Sequence, residues 1–260
     1  MIEVRGLTKR YGNTTAVKNL IFDVRPGIVT GFLGPNGSGK STTMRLVLDL
    51  HHATAGEARV NGRHYAELGW PLREVGALLE AGAFHPGRSA FDHVLALAKA
   101  NAIPRSRVEE VLELVGLARA AHRRVGTFSL GMRQRLGLAA ALLGDPGVLL
   151  LDEPFNGLDP EGIHWIRGLL KTLAAEGRTV FVSSHLISEV AITAERVVVI
   201  GAGQLLADTS VAELSGRTTS LEEVFLELTA TSDEYRGAPH RDVDGLRGGG
   251  DGSHARRTSS

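Results

Sequence analysis

Gly34-Pro35-Asn36-Gly37-Ser38-Gly39-Lys40-Ser41-Thr42 sits between an apolar strand-like run, Val29–Phe32, and a helix-like one, Ser41–Leu50. The spacing G-x-x-x-x-G-K-[ST] in a strand-to-helix context predicts a phosphate-binding loop. Glycines let successive backbone N–H groups turn inward as an anion nest, and the helix N-terminus adds positive potential. Lys40 would then reach the β- and γ-phosphates of a nucleotide, and the Ser41 hydroxyl would ligate Mg²⁺. The pattern also arises by chance in glycine-rich chains, so its neighbours in sequence have to agree with it.

They do agree. Val148-Leu149-Leu150-Leu151-Asp152-Glu153 is an apolar strand that ends in two carboxylates, where a parallel sheet delivers acidic groups to a Mg²⁺–phosphate site. Successive strand residues face opposite ways, so the two differ in role. Asp152 would hold the ion or one of its waters, and Glu153 would polarise the attacking water as general base. Alone, the pair reads equally as an acidic turn before Pro154. His185 follows the strand-like Val180–Ser184; beside a phosphate loop it is a candidate γ-phosphate sensor, and without one a surface or core histidine. Ser129-Leu130-Gly131-Met132-Arg133-Gln134 opens a helix with Ser129 as N-cap. That is either a well-capped helix or a second phosphate acceptor, and the latter would serve a partner's nucleotide.

Around these motifs strand-like and helix-like segments alternate, which predicts an α/β protein. Ile2–Val4, Val17–Val24 and Val29–Phe32 read as strands, with turns at Tyr11-Gly12-Asn13 and Pro26-Gly27, and Gly56–Val60 with Asn61-Gly62 suggests a hairpin. From about Phe84 to Asp145 the chain is Ala- and Leu-rich, with helical spacing over Ala90–Asn101, Arg105–Val115 and Met132–Leu143, an inserted helical subdomain. Val148–Leu151, Val180–Ser183 and Val197–Ile200 then resume as buried parallel strands. Beyond Ala230 the six glycines and scattered charge cannot offset the entropy of ordering, so residues 229–260 are expected to be a disordered tail.

Composition removes several function classes. The 29 Lys+Arg balance 29 Asp+Glu, which argues against a general nucleic-acid backbone binder. The absence of cysteine excludes disulfides, thiolate nucleophiles, iron–sulfur clusters and cysteine zinc sites. The N-terminus carries no apolar signal segment and no run approaches the ~18 apolar residues of a membrane span, so a soluble, unexported chain is expected.

Phosphate loop, signature, Asp-Glu strand, Asp159 loop and His185, in that order, resemble the ATP-binding subunit of ABC transporters across about residues 1–228. The resemblance implies a P-loop NTPase core with an N-terminal antiparallel β subdomain and an inserted α-helical subdomain at about 84–145. By the same resemblance Tyr11 would stack on adenine, Gly34–Thr42 would be the Walker A loop, and Ser129–Gln134 would be the signature segment, with Ser129, Gly131 and Met132 binding nucleotide. Asp152 and Glu153 would end Walker B, Asp159 in Asn156-Gly157-Leu158-Asp159 would be the D-loop residue, and His185 the switch histidine. ATP with Mg²⁺ is the implied ligand.

Two departures narrow the resemblance. The usual Leu-Ser-Gly-Gly-Gln signature is here Phe128-Ser129-Leu130-Gly131-Met132, and the Q-loop glutamine is replaced by Glu80. A glutamate adds charge near the γ-phosphate and the ion, tolerable where Mg²⁺ or a proton offsets it; the alternative is a simple loop carboxylate. Together these features, with Leu221-Glu222-Glu223-Val224-Phe225-Leu226, are similar to the branch serving bacitracin and lantibiotic self-resistance exporters. The implied assembly is two ATPase subunits, homomeric or heteromeric, head to tail beneath a separately encoded membrane permease on the cytoplasmic face. An importer ATPase, and a soluble ABC-type regulator of a nucleic-acid complex, are the competing readings.

Overall fold

The computed structural model describes residues 1–80 and 82–215. The chain begins with β1 (Ile2–Tyr11) and β2 (Thr14–Val24), followed by β3 (Val29–Leu33), α1 (Lys40–Val47) and β4 (Ala55–Val60). A short α2 (Pro71–Glu74) leads into β5 (Val75–Leu78). Three helices follow, α3 (Ala90–Ala100), α4 (Arg105–Leu114) and α5 (Leu130–Leu142). The rest alternates: β6 (Val148–Asp152), α6 (Pro160–Ala175), β7 (Thr179–Ser184), α7 (Ile187–Thr193), β8 (Arg196–Gly201), β9 (Gln204–Ser210) and α8 (Val211–Ser215).

Two sheets result. β1 pairs antiparallel with β2 on one side and β4 on the other, and the six-stranded sheet runs β5-β6-β7-β3-β8-β9, parallel except for β9. The strands β3, β6 and β7 are buried at every residue, as expected of parallel strands covered on both faces. β1 instead buries Ile2, Val4 and Leu7 and exposes residues between them. The ring centroids of Phe22 on β2 and Phe32 and Phe181 on the parallel sheet lie 5.0–5.8 Å apart, joining the two sheets through one aromatic cluster.

Helix boundaries follow local chemistry. Ser89 caps α3 by accepting from Asp92 N–H at 3.0 Å, Pro104 precedes α4, and Asp159 caps α6 by accepting from Gly162 N–H at 2.9 Å. The three helices α3, α4 and α5 pack on one another, and α5 packs on β5, which seats the insert on an edge of the parallel sheet.

Some expectations change. Asn61 and Gly62 do turn, both with positive φ, but the hairpin closes only one bridge, Val60 to Arg63, and β4 takes β1 as its partner. α1 stops at Val47, before the left-handed Asp49, rather than continuing to Leu50. β5, β9 and the helices α6 and α7 add to the segments expected from the sequence. The end of the expected domain at 228, Leu221–Leu226 and the expected tail lie outside the described residues.

Candidate nucleotide site

β3 ends at Leu33 and α1 starts at Lys40, so the intervening loop crosses the C-terminal edge of the parallel sheet, where such sheets hold ligands. Gly39 is the N-cap of α1 at φ 104, and a Cβ there would stand 2.6 Å from the carbonyl oxygen of Ala16; only glycine fits. No side chain caps α1, which leaves its first N–H groups available to an anion. Lys40 is 6% exposed and folds back, its Nζ donating to Gly34 O at 2.6 Å and Pro35 O at 3.2 Å. Burial holds its pKa below the ordinary lysine value, against the attraction of Glu153 and Asp152. A cavity of about 240 Å³ opens here, walled by Ala16, Asn36, Gly37, the stretch from Gly39 to Thr42, and Glu153.

Neighbouring strands bring the acidic pair to this loop. Asp152, at the end of β6, is buried and accepts a hydrogen bond from Ser183 Oγ of β7. Glu153 turns out of the strand with φ 51, an unusual backbone for a non-glycine residue. Its N–H donates to Ser183 O at 3.2 Å and Ser183 Oγ at 3.1 Å, and its Oε2 lies 2.8 Å from His185 Nδ1. Register thus gathers Lys40, Asp152, Glu153 and His185 from three strand ends.

Other candidates lie outside the cavity wall. Ser129 Oγ accepts from Met132 N–H at 3.2 Å and so caps α5, while Gly131 packs against Gly157 O. Asp159 is occupied as the cap of α6. Tyr11, half exposed at the β1 end, hydrogen-bonds through its hydroxyl to His51 Nδ1 at 2.6 Å, with Lys9 Nζ 4.9 Å from its ring centroid. Glu80 is ion-paired with Arg45 of α1 and lines a different cavity, about 470 Å³, with Leu48, Leu50, Tyr65, Leu97 and Ala140. The charge expected to need Mg²⁺ or a proton is therefore offset here by a guanidinium, and the structure does not bring Glu80 to the phosphate loop.

The sequence profile of the ABC transporter family matches residues 17–156, which include the loop and the Asp-Glu strand. The chain belongs to the ABC transporter family. It is an ATP-binding subunit and an ATP hydrolase. Among curated relatives of this ABC ATPase, it is 40% identical to the bacitracin transport ATP-binding protein BcrA of Enterococcus faecalis, over 86% of this chain and 73% of that one. It is 36% identical to the lantibiotic transport ATP-binding protein SrtF of Streptococcus pyogenes, over 86% of this chain and 96% of that one. Among solved structures, the ATP-binding cassette MJ0796, described as a dimeric post-hydrolysis state bound to ADP and Pi, superposes with TM-score 0.73 at 26% identity. That likeness covers 81% of this chain and 99% of the other. No helix of the ABC ATPase is long and apolar enough to cross a membrane, among the described residues.

Three residues of the site make contacts that the sequence does not show. Ser183 binds both Asp152 and Glu153. Arg45 is the partner of Glu80. Gln134, 2% exposed on α5, donates its Nε2–H to Glu153 O at 3.1 Å. Only the register of β6 with β7 and the seating of α5 reveal these pairs.

Proposed function

We propose that this ATPase drives a separately encoded membrane permease that exports an antibiotic, peptide or lipid. The reading rests on one observation above others: the phosphate loop, Asp152, Glu153 and His185 converge, while Ser129, Gly131 and Met132 lie outside that cavity. A second subunit, head to tail, would bring its Ser129 segment over the nucleotide held at Lys40. The resulting closed dimer would be favoured by γ-phosphate contacts made across the interface and disfavoured once the phosphate has left. The dimeric form of the cassette MJ0796 supports the assembly, and the transport names of the bacitracin and lantibiotic relatives support a transport role.

Within each site Lys40 and the loop N–H groups would hold the β- and γ-phosphates, and Tyr11 would stack on the base. Glu153 would take the proton of the attacking water as its oxygen bonds to the γ-phosphorus and ADP leaves, with His185 holding the carboxylate and facing the γ-phosphate. The Ser41 hydroxyl and Asp152 carboxylate are hard oxygen donors, a set that suits Mg²⁺, which is bound by one or two carboxylates together with substrate phosphates. When bound, the ion would neutralise charge on the phosphoryl oxygens. The groove lined by Glu80, Leu50 and Leu97 separates the core from the helical insert and would receive the permease, placing the subunit on the cytoplasmic face of the membrane.

Tagged Glu153→Gln, purified from native membranes with ATP and Mg²⁺, should retain a polytopic membrane protein identifiable by mass spectrometry. Retention of ribosomes or nucleic-acid factors instead would replace the exporter with a soluble regulator.

A further inference from the structure

The signature helix and the general base are joined inside one subunit by a single buried side chain. Gln134 lies on α5, five residues after the cap Ser129, and is 2% exposed. Its amide nitrogen reaches 3.1 Å from the carbonyl oxygen of Glu153, which as an acceptor fixes which end of the amide faces it. The Glu153 peptide is held from the other side by β7, through Ser183 O and Oγ on its N–H. Between these grips the residue keeps φ 51, a conformation that persists only where the surroundings enforce it. The Asn156 N–H also donates to this carbonyl at 3.2 Å, so the turn leading to the D-loop shares the same oxygen.

We propose that Gln134 is a positioning residue for hydrolysis. Its amide ties the aim of the Glu153 carboxylate to the seating of α5, whose N-terminus carries Ser129. This rests on the reading of Glu153 as general base and extends it: a partner nucleotide that engages Ser129 would act on the base of the same chain through Gln134. The contact is to backbone, so Gln134 sets where the carboxylate points without touching water or phosphate itself. A small change in aim is enough, since displacement of about 1 Å in a reacting group can cost on the order of a hundredfold in rate.

The test uses the full chain and ATP with Mg²⁺. Gln134→Met keeps the length and loses the donor; Gln134→Asn keeps the donor and loses the reach. Both are expected to lower kcat about ten- to a hundredfold with KM for ATP within about twofold. In a Glu153→Gln background, Gln134→Met should leave the residual single-turnover rate unchanged, because there is no base left to aim. A purely structural role predicts instead that the two losses multiply or that KM rises with the fall in kcat, and either result overturns the proposal. So does wild-type kcat in whichever variant folds. If Glu153→Gln itself hydrolyses ATP at the wild-type rate, the general-base reading fails and the proposal with it; if Glu153→Gln is inactive and both Gln134 variants are normal, the proposal alone fails.

Discussion

The phosphate loop and the signature segment are both N-termini of helices, and they are finished in opposite ways. At α1 the cap is a glycine, no side chain caps the helix, and Lys40 is 6% exposed with its ammonium already bonded to the loop. At α5 the cap is Ser129, whose hydroxyl satisfies Met132 N–H, and the next residue, Leu130, is 56% exposed. One end is a cradle with open N–H groups; the other is capped and exposed. The difference is what the proposed head-to-tail assembly requires, in which a single chain would complete only half of each nucleotide site.

Breaking the enclosed half should have the largest effect. Glu153→Gln is expected to reduce hydrolysis by about 10²–10⁴-fold, the usual contribution of a positioned general base, and to accumulate an ATP-bound dimer. A variant that stays monomeric on sizing columns with ATP and hydrolyses it normally would remove Glu153 from the chemistry. Next in size is the aromatic cluster beneath the cradle. Phe181→Ala should cost about 3–5 kcal/mol in urea unfolding, whereas Leu130→Ala at the open end should stay within about 0.5 kcal/mol. Equal losses would erase the contrast between the two ends.

The enclosed half was legible because its residues are contiguous. A glycine loop between a strand and a helix, and two carboxylates at the end of Val148–Leu151, announce themselves within a few residues. What sequence could not show is contact between distant segments: Ser183 meets Asp152 only through the register of β7 on β6, and Arg45 meets Glu80 only where the end of β5 and α1 line one cavity. β5 itself is a four-residue edge strand containing Gly76, too short to carry a periodic signal, while β9 mixes partly buried and exposed residues and has no buried face to mark it. The inserted helices α3, α4 and α5 are legible to within a few residues from their apolar spacing, with Pro104 and Ser129 marking two of the starts.

The open end can be sharpened by its contact with the D-loop. Gly157 has φ 73, and a Cβ on it would run into the Leu130 side chain. Gly157→Ala should therefore destabilise the chain by about 1–3 kcal/mol. Adding Leu130→Gly should recover the packing part of that loss but not the backbone part; no recovery would mean the two segments are not interlocked. Ser129→Ala should cost less, about 1 kcal/mol as a lost cap, and it should also weaken ATP-dependent dimerisation measured in the Glu153→Gln background. A loss of stability with unchanged dimerisation would confine Ser129 to capping.

The smallest effect probes the cradle itself through pH. Lys40 is buried, and desolvation of its ammonium holds its pKa below the lysine value of 10.5 against the attraction of Glu153 and Asp152. The unfolded chain therefore keeps this proton to higher pH than the folded chain does. Between the folded pKa and 10.5 the unfolded state binds more protons, so nucleotide-free stability should rise with pH across that window. Below the window the cost of burying the charged ammonium is fully present. Lys40→Met should flatten the rise, seen as a smaller change in urea midpoint between neutral and alkaline pH. Bound tripolyphosphate should flatten it too, because an anion in the loop favours the charged lysine. A wild-type slope that survives both treatments would mean that Lys40 is not held in the cradle at the expense of its charge, and the enclosed half would lose its defining feature.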